Sequence, residues 1–187
     1  MEIKILTDEE LDEELRGKIF ALEAVCFGES VGKVKSDYEE IHCAPTFRHI
    51  LGFQNSVIIS YLRVIVREIT WRGQEVTLGG IGSVCTHPDF RGQGLASDLL
   101  EKAMQILREE NADFALLQTD IKKAANLYGP FGFVPVQKDC HFTHRDGSSD
   151  KIKGKDVMMA PVANETIVQD IISSDEDEHL NIGQGDW

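Results

Sequence analysis

The sequence lacks several features that would assign the protein to common classes. No apolar run approaches the ~20 residues needed to span a bilayer, and the first ten residues lack the apolar core of a signal peptide. Basic residues are scarce, because 19 Lys and Arg stand against 32 Asp and Glu and give a net charge of −13. This charge argues against a basic surface that binds nucleic acid or anionic membranes, and it favours cationic partners. We therefore expect a cytoplasmic protein with no nucleic-acid or membrane partner.

Cysteine is also scarce. The four thiols, at Cys26, Cys43, Cys85 and Cys140, form no C-x-x-C pair. Ligand-type residues cluster over 139–144, but no second cluster stands at a zinc-like spacing. We expect reduced thiols and no metal site.

The residues that are present indicate one α/β domain. A chain of 187 residues with 42% hydrophobic and 27% charged residues is typical of a folded domain. Runs rich in Val, Ile and Tyr, joined by a short turn at 72–74, predict an antiparallel hairpin. A first helix is expected from Thr7 to near Gly28, and residues 29–48 are expected to form a second helix or a mobile loop. The remaining predicted elements are strands over 50–54, 56–71, 75–86, 114–117, 133–136 and 157–160, and helices over 95–107 and 121–128.

The end of the chain has an unusual composition. Residues 164–187 contain seven acidic residues and no Lys or Arg. This predicts an acidic tail that follows a main domain of residues 1–163 and is solvated or disordered over 170–180. Trp187 is expected to dock onto the protein, because a terminal indole is a large apolar group to leave in water.

The sharpest motif is a turn between a predicted strand and a predicted helix, with the sequence Arg91-Gly92-Gln93-Gly94. The first N–H groups of a helix lack internal acceptors, and with the helix dipole they bind anions. Glycines let a phosphate approach the backbone closely. The sequence fits neither a P-loop nor the dinucleotide fingerprint. We predict a phosphate-binding turn, and a plain strand–turn–helix connection is the alternative.

Two blocks of sequence around this turn resemble the GNAT superfamily of N-acetyltransferases. The first reads Val84-x-x-His87-Pro88 and Arg91-x-x-Gly94-x-Ala96, and the second, over 125–133, resembles the superfamily's A-x-x-L-Y-x-x-x-G-F segment. The blocks lie about 35 residues apart with a helix and a strand predicted between them. The resemblance implies a mixed, mostly antiparallel α/β (α+β) sheet, flanked by helices and splayed at its centre between residues 75–86 and 113–118. Acetyl-CoA would bind in this wedge.

The resemblance also implies how acetyl-CoA is held. Its pyrophosphate would lie on the amides of the turn, and its pantetheine arm would bond to the backbone at the strand end. The implied cofactor-binding residues are Val84, Cys85, Thr86, Arg91, Gly92, Gln93, Gly94, Leu95 and Ala96. We interpret Cys85 as a buried strand residue rather than an acyl carrier.

The implied chemistry is direct attack of an amine on the thioester. Tyr128 is the candidate proton donor to the departing thiolate, and the alternative is a core tyrosine that packs against Phe131 and Phe133. Asp120 and Thr119 are candidates for the general base that deprotonates the amine. His87 is interpreted mainly as a surface turn residue.

Weaker features resemble the aminoglycoside 2′-N-acetyltransferases, a GNAT subgroup. They are the run over 71–76 and the final Gly185-Asp186-Trp187. They imply that Asp186 and Trp187 bind a small cationic amine, with an aminoglycoside as one candidate. Two departures stand against this. Asp186 adjoins Trp187 directly, whereas the subgroup has one residue between them, and Gly82 stands where the subgroup has a Glu that activates the amine. A protein or peptide amine as acceptor and a non-catalytic CoA-binding module remain alternatives. Dimers are common in the superfamily, so a homodimer is a further alternative to a monomer.

Overall fold

The chain combines strands and helices, and several strands follow one another with no α-helix between them. The computed structural model describes residues 1–40, 46–144, 146–175 and 177–185, and of residues 39 and 40 only the backbone. The strands are β1 (Glu2–Leu6), β2 (Arg48–Gln54), β3 (Val57–Trp71), β4 (Gln74–Thr86), β5 (Phe114–Gln118), β6 (Val134–Val136), β7 (Cys140–Thr143), β8 (Ser149–Ile152), β9 (Val157–Pro161) and β10 (Leu180–Gln184). The helices are α1 (Glu13–Phe27), α2 (Val31–Glu40), α3 (Leu95–Glu109), α4 (Ile121–Tyr128) and α5 (Glu165–Ser173).

A mixed sheet with the strand order β1-β2-β3-β4-β5-β9-β6 forms the centre of the molecule. Its neighbouring strands are antiparallel except for β4 and β5, which run parallel. A second sheet contains β10, β7 and β8, and in it β10 and β7 run parallel. This architecture confirms the predicted mixed, mostly antiparallel α/β fold.

The central sheet opens between β4 and β5. These strands pair only where residues 78–80 face residues 114–116, and β4 then continues beside β3 alone. The β3–β4 register shifts between the Tyr61–Cys85 and Arg63–Gly82 pairs, and Ser83 there has a φ of 54°. Because a bulge of this kind bends a strand, β4 diverges from β5 and the predicted wedge is present.

Helices cover both faces of the central sheet. α3 lies on one face and buries an apolar stripe that consists of Leu99, Leu100, Ala103, Met104 and Leu107. Gly79 of β4 lies beneath this helix, and a Cβ added to it would come within 2.5 Å of Leu107 Cδ2. On the other face, α1 packs against β3 and β4, and α5 packs against β5 and β9. Among the described residues, no helix is both long and apolar enough to cross a bilayer.

The start of the chain differs from the sequence prediction. Thr7 caps a short 3-10 turn over Asp8–Glu10, and Asp12 caps α1 by accepting a hydrogen bond from the Leu15 amide at 2.7 Å. α1 ends as predicted at Gly28, whose φ of 73° is left-handed. The sequence does not predict β1, because five residues of alternating character give only a weak signal.

The acidic end of the chain contributes to the core. α5 buries Ile167, Val168 and Ile171, and β10 buries Leu180 and Ile182. The expectation of a solvated or disordered run over 170–180 is wrong at both of its ends, because α5 extends through Ser173 and β10 begins at Leu180. The many acidic residues conceal an apolar stripe at helical spacing. Asp186 and Trp187 lie outside the described residues.

Candidate active site

A cleft of about 590 Å³ lies where β4, the turn after it, α3, α4 and the end of α1 meet. Every residue assigned to the cofactor from the sequence lines this cleft except Gln93; they are Val84, Cys85, Thr86, Arg91, Gly92, Gly94, Leu95 and Ala96. The structure adds residues from other elements, among them Cys26, Phe27 and Leu127. Folding therefore brings one continuous motif together with two helices that are distant in sequence.

The turn between β4 and α3 has the geometry of an anion site. Gly92 and Gly94 have φ values of 76° and 80°, in the left-handed region that favours glycine. They place the N-terminus of α3 at the cleft, where the first N–H groups of the helix have no acceptor within it. Arg91 adds a positive charge, and its Nε donates to the Thr86 carbonyl oxygen at 3.0 Å.

His87 serves this turn as a structural residue. Its Nδ1 accepts a hydrogen bond from the Asp89 amide at 3.3 Å, and its ring packs edge-on against Phe90. These contacts fit the interpretation of His87 as a turn residue.

The open edge of β4 forms a wall of the cleft. Beyond Gly80 this edge has no strand partner among the described residues, whereas the other edge pairs with β3 up to Thr86. An extended ligand that carries amide groups can satisfy such an edge, because free backbone N–H and C=O groups lie along it.

Tyr128 is buried at the end of α4. Its ring packs edge-on against Phe133, with ring centroids 5.8 Å apart. Burial disfavours the phenolate and raises the pKa of Tyr128 to about 12, while a hydrogen bond with Thr119 partly opposes this shift. Leu127, Ala124 and Lys123 of the same helix line the cleft, and Tyr128 is not among the lining residues described. The phenol is protonated at neutral pH and has the protonation state of a donor.

Asp120 has the wrong surroundings for a strong base. It stands at the N-terminus of α4 with half of its side chain exposed, and Lys123 Nζ lies 2.9 Å from its carboxylate. The hydrogen bond from Lys123 lowers the pKa of Asp120. Asp120 and Thr119 line a separate hollow of about 720 Å³, together with Lys122 and Asp156. The structure does not place Asp120 or Thr119 among the residues that line the main cleft.

Glu23 is the residue that sequence reasoning missed. It lies on α1, is only 7% exposed, and is close to Ser83 in the β4 bulge. Burial raises the pKa of Glu23, although the Ser83 hydrogen bond and the Arg63 charge oppose the shift. Glu23 is not among the residues that line the cleft, whereas Cys26, about one helical turn further along α1, lines it. One feature of the sequence could have indicated Glu23. This residue stands four residues after Ile19, which is buried, and so lies on the apolar face of α1.

Arg63 is buried close to Glu23. It is 1% exposed, and its guanidinium nitrogens have no hydrogen-bond partner among the described residues. The guanidinium lies 5.7 Å from the centre of the Tyr38 ring. A buried cation without hydrogen bonds is costly, so the nearby carboxylate of Glu23 contributes to its stabilisation.

The described part of the chain end lies against β3. Arg67 Nη1 donates to the carbonyl oxygens of Ile182 at 2.7 Å, Gln184 at 2.8 Å and Gly185 at 3.1 Å. Side chains of a strand alternate between faces, so Arg67 shares a face of β3 with Arg63 and Tyr61. Gly185, the last described residue, is therefore held on this face. Within the described ranges, no group of three or more His, Cys, Asp or Glu is placed to hold a metal ion.

Comparison with known proteins identifies the family. The model of the acetyltransferase (GNAT) domain matches residues 2–136, and the chain belongs to this family. N-alpha-acetyltransferase 30 of Saccharomyces cerevisiae is 29% identical over 76 residues, which cover 40% of this chain and 43% of that protein. Aminoglycoside 2′-N-acetyltransferase of Mycolicibacterium fortuitum is 28% identical over 89 residues, which cover 48% and 45%. The chain spans less than half the length of these curated relatives.

Solved structures share the fold. The GNAT family N-acetyltransferase YhbS of Escherichia coli, in complex with CoA, superposes with a TM-score of 0.62 at 16% identity over 97% of this chain and 89% of that one. ElaA of Escherichia coli gives a TM-score of 0.58 at 22% identity over 85% and 98%. The likeness extends through the region that follows the family match.

Proposed function

We propose that the protein is an acetyl-CoA-dependent N-acetyltransferase that transfers the acetyl group directly to a primary amine. The observation that carries this proposal is the cleft in which an anion-binding helix terminus adjoins an open strand edge. The N–H groups at the start of α3 and the charge of Arg91 suit a diphosphate. The edge of β4 beyond Gly80 suits the two amides of pantetheine. Family membership and a relative solved with CoA support the same ligand.

We assign the general base to Glu23 rather than Asp120. A primary amine is mainly protonated at neutral pH, so a base must remove a proton before the amine attacks the thioester carbonyl. The buried carboxyl of Glu23 is more basic than an ordinary Glu, whereas the carboxylate of Asp120 is less basic than an ordinary Asp. Glu23 lies close to Ser83, which is next to Gly82. The carboxylate would thus come from α1 instead of from β4, where Gly82 lacks one.

We assign the proton donor to Tyr128. When the carbon–sulfur bond breaks, the thiolate of CoA takes a proton, and the neutral phenol of Tyr128 supplies it. The base then holds the proton from the amine, and exchange with solvent restores both groups.

For the acceptor we propose a small cationic amine, with an aminoglycoside as the first candidate and Asp186 and Trp187 as its binding residues. The net charge of −13 and the aminoglycoside-acetylating relative support this assignment. The Arg67 contacts hold Gly185 on the same face of β3 as Arg63. The yeast relative favours a protein or peptide α-amine as the second candidate.

The test is a transfer assay with acetyl-CoA and a panel of sugar amines, polyamines and peptide N-termini, in which mass spectrometry detects the acetylated product. We expect calorimetry to detect CoA binding and at least one amine to be acetylated. Deletion of residues 186–187 should abolish sugar acetylation while CoA binding remains. CoA binding without transfer to any amine would favour a non-catalytic CoA-binding module, and absence of CoA binding would refute the proposal.

A further inference from the structure

Two cysteines lie side by side in the wall of the cleft. Cys26 comes from the last turn of α1 and Cys85 from the end of β4, and both line the cleft. Cys85 belongs to an apolar cluster that includes Leu22 and Tyr61, and Cys26 packs against the same cluster. Cys85 is buried, whereas Cys26 is half-buried. The two thiols thus lie in one wall of the cleft, at a surface that a ligand in the cleft would cover.

The surroundings make the two sulfurs chemically different. The hydrogen bond with Cys85, together with Arg91, lowers the pKa of Cys26 to about 7, although burial and Glu23 oppose the shift. The same hydrogen bond and burial raise the pKa of Cys85 well above its ordinary value. A larger fraction of Cys26 than of an ordinary cysteine is therefore thiolate at neutral pH. Cys26 has the properties of a nucleophile, and Cys85 those of a thiol that remains protonated beside it.

We propose that Cys26 is a covalent modification site for peroxides and that Cys85 is its resolving partner. The Cys26 thiolate attacks one oxygen of hydrogen peroxide, the O–O bond breaks, and Cys26 becomes a sulfenic acid as hydroxide leaves. The Cys85 sulfur then attacks the Cys26 sulfur and water leaves. In total the two thiols lose two electrons and two protons to one peroxide, which yields a disulfide and two waters.

This disulfide would alter the cleft. It would join α1 covalently to β4 and remove the thiolate that Arg91 faces. If the proposed function is right, CoA and the peroxide compete for the same surface. CoA should therefore protect Cys26, and the disulfide should weaken CoA binding.

The experiment treats the intact wild-type protein with hydrogen peroxide at neutral pH and maps its thiols by alkylation and peptide mass spectrometry. We expect loss of two hydrogen atoms, a peptide that links Cys26 to Cys85, and full reversal by dithiothreitol. At neutral pH, iodoacetamide should label Cys26 at least ~10-fold faster than Cys85. A disulfide that involves Cys43, or thiols that remain unchanged by peroxide, would overturn the proposal. This outcome can be read from the wild-type protein alone.

Variants separate the two roles. C85S should leave the sulfenic acid at Cys26 open to capture by dimedone, whereas C26S should form no disulfide. C140S is the matched control, because Cys140 is buried in a different core cluster, and it should behave as the wild type. A disulfide that forms without protection by CoA would leave this inference standing and contradict the proposed CoA cleft.

Discussion

At the scale of single residues, Glu23 and Asp120 differ mainly in their surroundings. We expect E23Q to lower kcat/KM by ~10²–10⁴-fold, because it removes the proposed base. The pKa of Glu23 is raised, so wild-type activity should fall as the pH drops through a value above 4.5, and E23Q should lose this acidic limb. The measurement is the pH profile of acetyl transfer.

The control for this prediction is E14Q on the same helix, because Glu14 is exposed and pairs with Lys18 at the surface. E14Q should retain the wild-type profile. A raised native pKa means that ionised Glu23 costs stability at pH values above it. This cost is measured on the wild type, because E23Q also removes the carboxylate beside the buried Arg63. Equal activity of E23Q and wild type would remove Glu23 from the mechanism.

Tyr128 gives a second prediction at this scale. Y128F keeps the aromatic contact with Phe133 but lacks the proton that the thiolate needs. We expect kcat to fall by ~10²-fold or more while the calorimetric Kd for CoA changes little. An unchanged kcat in Y128F would show that Tyr128 only packs in the core and does not donate the proton.

At the scale of elements, the turn before α3 depends on its backbone conformation. G94A adds a methyl group at a φ of 80°, which strains the backbone by ~1 kcal/mol and places carbon where a phosphate would approach. We expect the Kd for CoA to rise by ~10-fold or more, as measured by calorimetry. Gly73 has a φ of 79° and equally open surroundings in the β3–β4 turn, so G73A carries the same strain and should leave CoA binding unchanged. Similar losses in both variants would contradict a phosphate site at Gly94.

The attachment of β10 is a second prediction about an element. R67M removes the donors to three carbonyl oxygens, and we expect a loss of ~1–3 kcal/mol in the free energy of unfolding. Hydrogen exchange should increase first in the β10 amides. R72M removes the exposed pairs with Asp170 and Glu178 and the contact with the Trp71 ring, and it should cost less. Equal effects would show that the Arg67 contacts are no stronger than surface pairs.

The sequence predicts the central hairpin, α3 and the phosphate-binding turn because their signals are local: alternation, a helical stripe, and glycines at fixed spacing. It does not predict α5 and β10, because the acidic composition outweighs the apolar residues Ile167 and Leu180. It also misses Glu23, because the basicity of that carboxyl arises from burial against β4, which no local pattern reveals. The roles of Tyr128, Asp186 and Trp187 stay predictions.

At the scale of the whole molecule, three residue pairs join β4 to β5, and this narrow seam divides the central sheet into a lobe of β1–β4 and a lobe of β5, β9 and β6. A coenzyme that hydrogen-bonds to the free edge of β4 and also contacts α4 would hold the two lobes together. Saturating CoA should then slow amide hydrogen exchange in both β4 and α4. Protection confined to the N-terminus of α3 would rule out a coenzyme that holds the two lobes together. By this reasoning, the coenzyme would be a structural member of the sheet as well as the acyl donor.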